Sequence, residues 1–218
     1  MTPALQVYES GLTSGCGELE TEDGDRSVLP IGSWSGMPDP GDLALLDRYS
    51  GPTLDVGCGP GRMTAALTNL GIPTLGIDIS SVAVQMTIAR GGMALQRNIF
   101  DQMPADRRWA HILLADGNIG IGGDAVRLLS KCAGLLTPGG TILVDVGPPG
   151  TALIARQVRV AVGGRTSGWF RWSWLGVDAL SVISAAAGLA PTTLWRNGSR
   201  WQAELAASDS WPAVGSTR

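Results

Sequence analysis

The chain has 218 residues, 44% of them hydrophobic and 16% charged, which excludes a disordered polymer and allows one core burying about 70% of the unfolded surface. Its net charge is only −3, which argues against a dedicated nucleic-acid binder with a clustered basic face. Apolar runs such as 112–115 and 141–146 fall far short of the roughly 18 residues of a membrane span.

No charged leader with an apolar stretch opens the sequence, and Cys16, Cys58 and Cys132 are odd in number with no CxxC spacing. A reducing, cytoplasmic setting is therefore expected. With His111 as the single histidine, the composition offers no zinc-ligand pattern and no Ser-His or Cys-His pair beyond that one imidazole. Charge is uneven along the chain: residues 1–50 are acidic against Arg26 and Arg48, 51–150 are balanced, and 151–218 set seven arginines against Asp178, Glu204 and Asp209.

In chain order, residues 18–31 read as a hairpin turning at Asp23-Gly24, 32–41 as a linker, and 42–49 as a helix. A strand at 53–56 leads to a helix over 62–70 that stops at Gly71. A strand at 73–77 precedes a helix capped by Ser80 or Ser81 and running to Arg90. Strands are expected at 93–100 and 111–115, then a helix over 125–136 capped by Asp124, a turn at 137–140, and a strand at 141–146. A second hairpin is expected from 157–162 and 168–174 around Gly163-Gly164. A helix over 178–187 and a final hairpin from 192–195 and 199–205 complete the chain.

The repeated strand-helix unit implies an α/β fold, a parallel sheet covered on both faces. The expected division is an extension over 1–50 and a ligand-binding domain over 51–218, with a hairpin insertion near 156–174.

The most specific feature is Leu54-Asp55-Val56-Gly57-Cys58-Gly59-Pro60-Gly61-Arg62, between a predicted strand and a predicted helix. Gly57, Gly59 and Gly61 permit a tight turn with close backbone approach to a ligand. Asp78 ends the next strand 17 residues after Gly61, where a carboxylate can accept both hydroxyls of a ribose. A dinucleotide fingerprint would read GxGxxG; this loop closes a residue earlier and adds Asp55, which suits an ammonium or sulfonium better than two phosphates.

These residues resemble motif I of the class I S-adenosylmethionine-dependent methyltransferases, and the resemblance extends over 53–146. It implies a Rossmann-like doubly wound sheet of about seven strands, mostly parallel with an antiparallel C-terminal strand, plus the added hairpins. By the same resemblance Asp55 and the loop backbone (Gly57, Cys58, Gly59, Gly61, Arg62) hold the amino-acid end of S-adenosylmethionine. Asp78 holds the ribose, Ile79 packs on the adenine, and Asn98-Ile99-Phe100 meet the adenine edge. Asn98 stands where the family commonly has aspartate, and Asp101 is the alternative acceptor if the register shifts.

After the fourth strand, Asp116-Gly117-Asn118-Ile119-Gly120-Ile121-Gly122-Gly123 forms a second glycine-rich loop at the same crevice, beside cofactor or substrate. Asp116 and Asp145, as bases, and Asn118, as a hydrogen-bond acceptor, are the candidates for assisting transfer to a hydroxyl or amine of a small-molecule acceptor. Asp116 and Gly117 are also candidates for touching the cofactor. His111, at the start of its strand, and Cys58, inside the turn, read as structural. Trp169, Trp172, Trp174, Trp195 and Trp201, close in sequence to Arg156, Arg159, Arg165 and Arg171, either pack the added hairpin or line a pocket for a flat or anionic acceptor. The alternative functions are a nicotinamide-dependent oxidoreductase and a non-catalytic nucleoside-ligand-binding module.

Overall fold

The structure is a computed structural model describing residues 3–103 and 108–208; Asp209, counted above among the acids of the tail, lies outside them. The N-terminal part holds α1 (Pro3–Ser14), β1 (Glu18–Thr21), β2 (Arg26–Val28), α2 (Ile31–Trp34) and α3 (Pro40–Leu46). Then come β3 (Thr53–Val56), α4 (Arg62–Asn69), β4 (Thr74–Asp78), α5 (Ser81–Ala89), β5 (Met93–Gln96) and β6 (Trp109–Leu114). A 3₁₀ segment (Asn118–Gly123) leads to α6 (Ala125–Ala133), β7 (Leu136–Val146), β8 (Ile154–Val162), β9 (Arg165–Thr166) and β10 (Phe170–Trp174). The chain finishes with α7 (Val177–Ala186), β11 (Leu189–Asn197) and β12 (Arg200–Ala207).

The main sheet has seven strands in the order β11-β12-β7-β6-β3-β4-β5. Strands β3 to β7 run parallel, and β12 is antiparallel to both β7 and β11. Strand order reverses between β3 and β6, which opens a crevice beyond their carboxyl ends. The sheet is parallel because both its faces are greasy. Along β6 and its exit, Ile112 and Leu114 enter one core with Leu128, Leu129 and Ile142, while Leu113 and Ala115 enter the other with Leu45, Met63, Leu67 and Leu143. That strict alternation of two buried sets is what a strand sandwiched between helix layers requires.

Side-chain caps fix the helix starts. The Ser80 hydroxyl accepts from the Ala83 amide at 3.1 Å, the Asp124 carboxylate from the Arg127 amide at 2.9 Å, and Asp39 and Asp42 form a reciprocal capping box.

Several boundaries differ from the sequence reading, with β6, β8 and β11 each starting two or three residues early. The helix expected over 42–49 spans Pro40–Leu46, with the proline in its first turn. The strand expected over 93–100 ends at Gln96, because the Asn98 carbonyl oxygens draw the chain into a turn: Oδ1 accepts from the Phe100 amide and the backbone oxygen from Asp101. The helix expected to reach 136 stops at Ala133. The turn expected at 137–140 lies inside β7, where the register against β6 slips between Trp109 and His111. Pro138 is tolerated there because this irregular stretch does not need its missing donor. α1 was not foreseen at all, and the expected linker 32–41 overlaps α2, whose Ile31 is buried.

The two added hairpins are one structure. β1 pairs with both β2 and β8, and β8 pairs with β9 and β10, giving a second, antiparallel sheet in the order β10-β8-β1-β2 with β9 on β8. Leu19 thus lies directly across from Val160. β10 stays joined to the main sheet by a bridge between Gly147 and Gly176, so the second sheet stands over the crevice. No helix among the described residues is long and apolar enough to cross a membrane.

Candidate active site

The glycine loop leaves β3 and enters α4 with Gly57, Gly59 and Gly61 all at positive φ, between 53° and 88°, a conformation that β-carbons penalise. Its amides are satisfied within the protein. Those of Gly57 and Cys58 donate to the Ile77 carbonyl at 2.8 and 3.0 Å, Gly61 to the Cys58 carbonyl at 3.0 Å, and Gly59 to Asp78 Oδ2 at 3.0 Å. The loop is therefore closed on β4 and does not present these donors to an anion.

Asp78, buried at the tip of β4, also receives the Ser80 amide on Oδ1 at 2.8 Å. Burial nonetheless holds its acid above the ordinary carboxylate range, the backbone donors only partly offsetting it. Asp55 lies at 2% exposure on β3 with the Thr64 hydroxyl donating to it at 2.7 Å, and burial pushes its acid up to about 7.

Asp116 follows β6 in the left-handed region at φ 53°, the non-glycine exception among the described residues. Its conformation is held from two sides: its amide donates to Asp145 Oδ2 at 2.7 Å, and its carboxylate receives Arg62 Nη2 at 2.5 Å. Burial raises the acid of Asp116 while Arg62 opposes the shift. Arg62, itself buried, also pairs with Asp42 of α3. Arg200 of β12 closes the cluster through Asp42 at 2.7 Å and Asp145 at 2.6 Å.

These groups surround one cavity of about 760 Å³, within the size range of small-molecule sites. Asp55, Gly57, Cys58, Gly59, Arg62, Asp78, Ile79, Asn98, Ile99, Phe100, Asp116, Gly117 and Asn118 all line it. Gly61 does not: a Cβ there would lie 2.7 Å from Thr87 Cα, so its bareness lets α4 pack against α5. Asn118 spends its amide nitrogen on the Val56 and Gly57 carbonyls, both at 2.9 Å, tying the two glycine loops together.

Asp101 and Asp145 lie off the cavity wall, and Asp145 is fully engaged, with Gln202 Nε2 donating to its second oxygen at 2.9 Å. The glycines of the second loop also divide. Gly120 and Gly123 are bare to admit β10, since a Cβ on Gly120 would meet Trp172 Nε1 at 2.3 Å and one on Gly123 the Arg171 Cβ at 2.5 Å. His111 sits at the far end of its strand, bonded to Thr141 Oγ1 at 2.9 Å and edge-on to Tyr49. The Cys58 thiol is buried and its ionisation suppressed by that burial.

Sequence reasoning missed the wall contributed by α1. Tyr8 reaches the glycine loop, and burial, together with Asp78, holds its phenol protonated. Next to it, Glu9 accepts from the Ser80 hydroxyl at 2.9 Å and, more weakly, from the Ser81 hydroxyl and Val82 amide, which docks α1 on the start of α5. The available signal was Thr2-Pro3, a cap-favouring residue type before a proline at the first helical position, with Gly15 after the last turn, and the mixed composition between them masked it.

Residues 53–140 match the family model described as a methyltransferase domain. A SAM-dependent methyltransferase from Bacteroides fragilis, solved with S-adenosyl-L-homocysteine, superposes with a TM-score of 0.77 at 23% identity, covering 94% of each chain. The CcbJ methyltransferase from Streptomyces caelestis gives a TM-score of 0.61 at 16% identity over 80% of this chain and 92% of its own. The O-methyltransferase NcsB1 from neocarzinostatin biosynthesis, solved with S-adenosyl-L-homocysteine and 1,4-dihydroxy-2-naphthoic acid, gives 0.58 at 20% identity over 76% of this chain and 53% of its own. No curated protein matches the sequence. With its strand order, its crevice and these superpositions, the chain has the Rossmann-like fold of S-adenosylmethionine-dependent methyltransferases, and residues 53–140 match the methyltransferase-domain model.

Proposed function

We propose that the protein is a methyltransferase that uses S-adenosylmethionine to methylate a small molecule. The observation that carries the reading is the pairing of an acidic cavity floor, Asp55, Asp78 and Asp116, with a glycine loop whose own amides are already taken. A pyrophosphate needs free amides and is repelled by Asp55 and Asp116, which suit a cation instead, while Asp78 as a ribose acceptor is common to both ligands. The nicotinamide reading is disfavoured on this ground. Solved relatives of the same fold carry S-adenosyl-L-homocysteine, which supports the choice of donor.

The donor supplies a methyl group activated by a positive sulfur. Asp78 accepts the ribose hydroxyls through the lone pairs its backbone donors leave free, and Ile79 and the 98–100 turn enclose the base. Asp55 and the loop carbonyls favour the ammonium end. α1, with Tyr8, covers the glycine loop and excludes water, which strengthens every charge interaction beneath it.

In-line transfer needs the acceptor atom about 3–3.5 Å from the methyl and opposite the sulfur, so positioning supplies much of the rate. Asp116 is the group placed to take the proton that a hydroxyl or ammonium acceptor releases, and its raised acid makes it a better base than an exposed carboxylate. Asn118 acts by fixing the glycine loop, not as a base. Arg62 and Asp145 are positioning residues that hold Asp116 in its left-handed conformation.

Thermal unfolding with S-adenosylhomocysteine and, separately, NAD tests the reading. A ligand of the native state at 100 times its dissociation constant stabilises by about 2.7 kcal/mol, so S-adenosylhomocysteine is expected to raise the melting temperature and NAD to leave it unchanged. The opposite pattern rejects the proposal.

A further inference from the structure

The cavity has two walls of different chemistry. One is the charged floor described above. The other is a single face of the second sheet, and the pairing register shows how it is made. Leu19 lies across from Val160, Val158 from Phe170, Arg156 from Trp172 and Ile154 from Trp174, and directly paired residues share a face. Phe170, Trp172 and Trp174 alternate along β10 and so point the same way. Leu19, Val160, Phe170, Trp172 and Trp174 all line the cavity.

The arginines that adjoin these tryptophans in sequence are spent elsewhere. Arg156 pairs with Asp23 and Asp25, and Arg159 pairs with Glu20 at 2.8 Å while stacking on Trp169, 4.7 Å from the ring centroid. Trp195 and Trp201 stack with Arg48 and Arg196 on the main sheet, away from the cavity. Among the described residues no arginine stacks on Trp172 or Trp174, and Arg171 is the one arginine of β8 to β10 that lines the cavity. The roof thus offers aromatic surface without a built anion site.

β10 also sits where the acceptor must. It runs back to the tip of β7 through the bridge at Gly147 and Gly176, and Trp172 packs against Gly120, in the loop that begins at Asp116. Trp172 and Trp174 remain only partly buried although they face the interior of a cavity, so each keeps aromatic area for a ligand to cover.

We propose that the methyl acceptor is a planar aromatic compound, uncharged in the part that enters the roof, which stacks under Trp172 and Trp174 with its nucleophilic group directed to Asp116. This rests on the donor reading above and names the acceptor class for the same cavity. An amino sugar or other polyhydroxylated acceptor would match these rings only with its C–H face and would desolvate hydroxyls to which the Leu19, Val160 and Phe170 side chains offer no partner.

Calorimetry on the full chain saturated with S-adenosylhomocysteine tests it, with 2-naphthol and 1-naphthol as aromatic probes and glucosamine as the polar one. The naphthols are expected to bind and glucosamine not. Trp174→Ala is expected to weaken naphthol binding at least tenfold, whereas Trp169→Ala, on the outer face, changes it less than twofold. Both variants are expected to hold S-adenosylhomocysteine within twofold of the parent, and Trp174→Leu replaces Trp174→Ala if the latter does not fold. Binding of glucosamine in place of the naphthols, or naphthol binding indifferent to position 174, overturns the acceptor class while the donor reading stands. Failure of S-adenosylhomocysteine to bind overturns the donor reading and this proposal with it.

Discussion

The floor and the roof of the cavity are built by opposite means. The cofactor side of the floor is local: β3, its loop and α4 occupy 17 consecutive residues, Asp78 arrives at the end of the next strand, and only Asp116 joins from beyond β6. The roof is long-range: β1 and β8 pair across more than 130 residues of chain. The floor carries charge and is held by backbone amides and ion pairs, while the roof carries rings. In the proposed reading this keeps the cofactor contacts mostly in one short segment and leaves the acceptor to strands far from it in the chain.

Removing the floor's ribose carboxylate is the hardest test of that division. Asp78→Ala is expected to cut S-adenosylhomocysteine affinity about 100-fold, ~3 kcal/mol for two hydrogen bonds to a charged group, as read by calorimetry. Naphthol binding to the roof, in contrast, is expected to persist. If both fall together, floor and roof are a single unit and the division fails.

The seam between them is Gly120. A Cβ there would sit 2.4 Å from the Ser173 carbonyl oxygen as well as against Trp172, so Gly120→Ala must push β10 off the loop. Overpacking of this kind costs about 1–3 kcal/mol, a loss of roughly 2–12 °C in melting temperature for a chain of this size. An unchanged melting temperature contradicts the close packing.

Asp55 sharpens the contrast in the other direction. Its acid is raised to about 7 in the folded protein, so between its unfolded value near 4 and pH 7 the native state binds more protons than the unfolded one. Stability therefore falls as pH rises through that window. Asp55→Asn removes the buried charge, and its melting temperature is expected to exceed the parent's by a few degrees at pH 8, the gap closing towards pH 5. A gap that widens on acidification contradicts the assignment.

The smallest effect is expected at Arg156, which shares a strand face with Trp172 but is drawn to Asp23 and Asp25 and does not line the cavity. Arg156 and its partners Asp23 and Asp25 are substantially exposed, so Arg156→Ala is expected to leave both melting temperature and naphthol binding unchanged.

The same contrast explains what was legible in the sequence. Gly57 to Arg62, Asp78 and the cap residues Ser80 and Asp124 announce themselves because a tight turn or a helix start imposes chemistry on a few adjacent residues. The parallel strand-helix core follows from the alternation, and its extension to about seven strands with an antiparallel C-terminal strand from the family resemblance. The two hairpins were legible individually, but their union was not: antiparallel pairing between Leu19 and Val160 leaves no periodic or local mark. Gly120 and Gly123 show the same limit. In sequence they read as backbone left bare for a ligand, while in the fold they are bare for β10, and nothing adjacent to them says which. The tryptophans needed the register as well, since only alternation along β10 separates Trp172 and Trp174 from Trp169.

The central claim is that the acidic floor receives the methyl donor. Titration of S-adenosylhomocysteine into the wild-type protein at pH 6 and pH 8 tests it most directly, because Asp55 changes charge between the two. One site per chain, with tighter binding at pH 8 as the ionised carboxylate meets the ligand's ammonium group, is the predicted result. The absence of binding heat at both pH values, or tighter binding at pH 6, would contradict it.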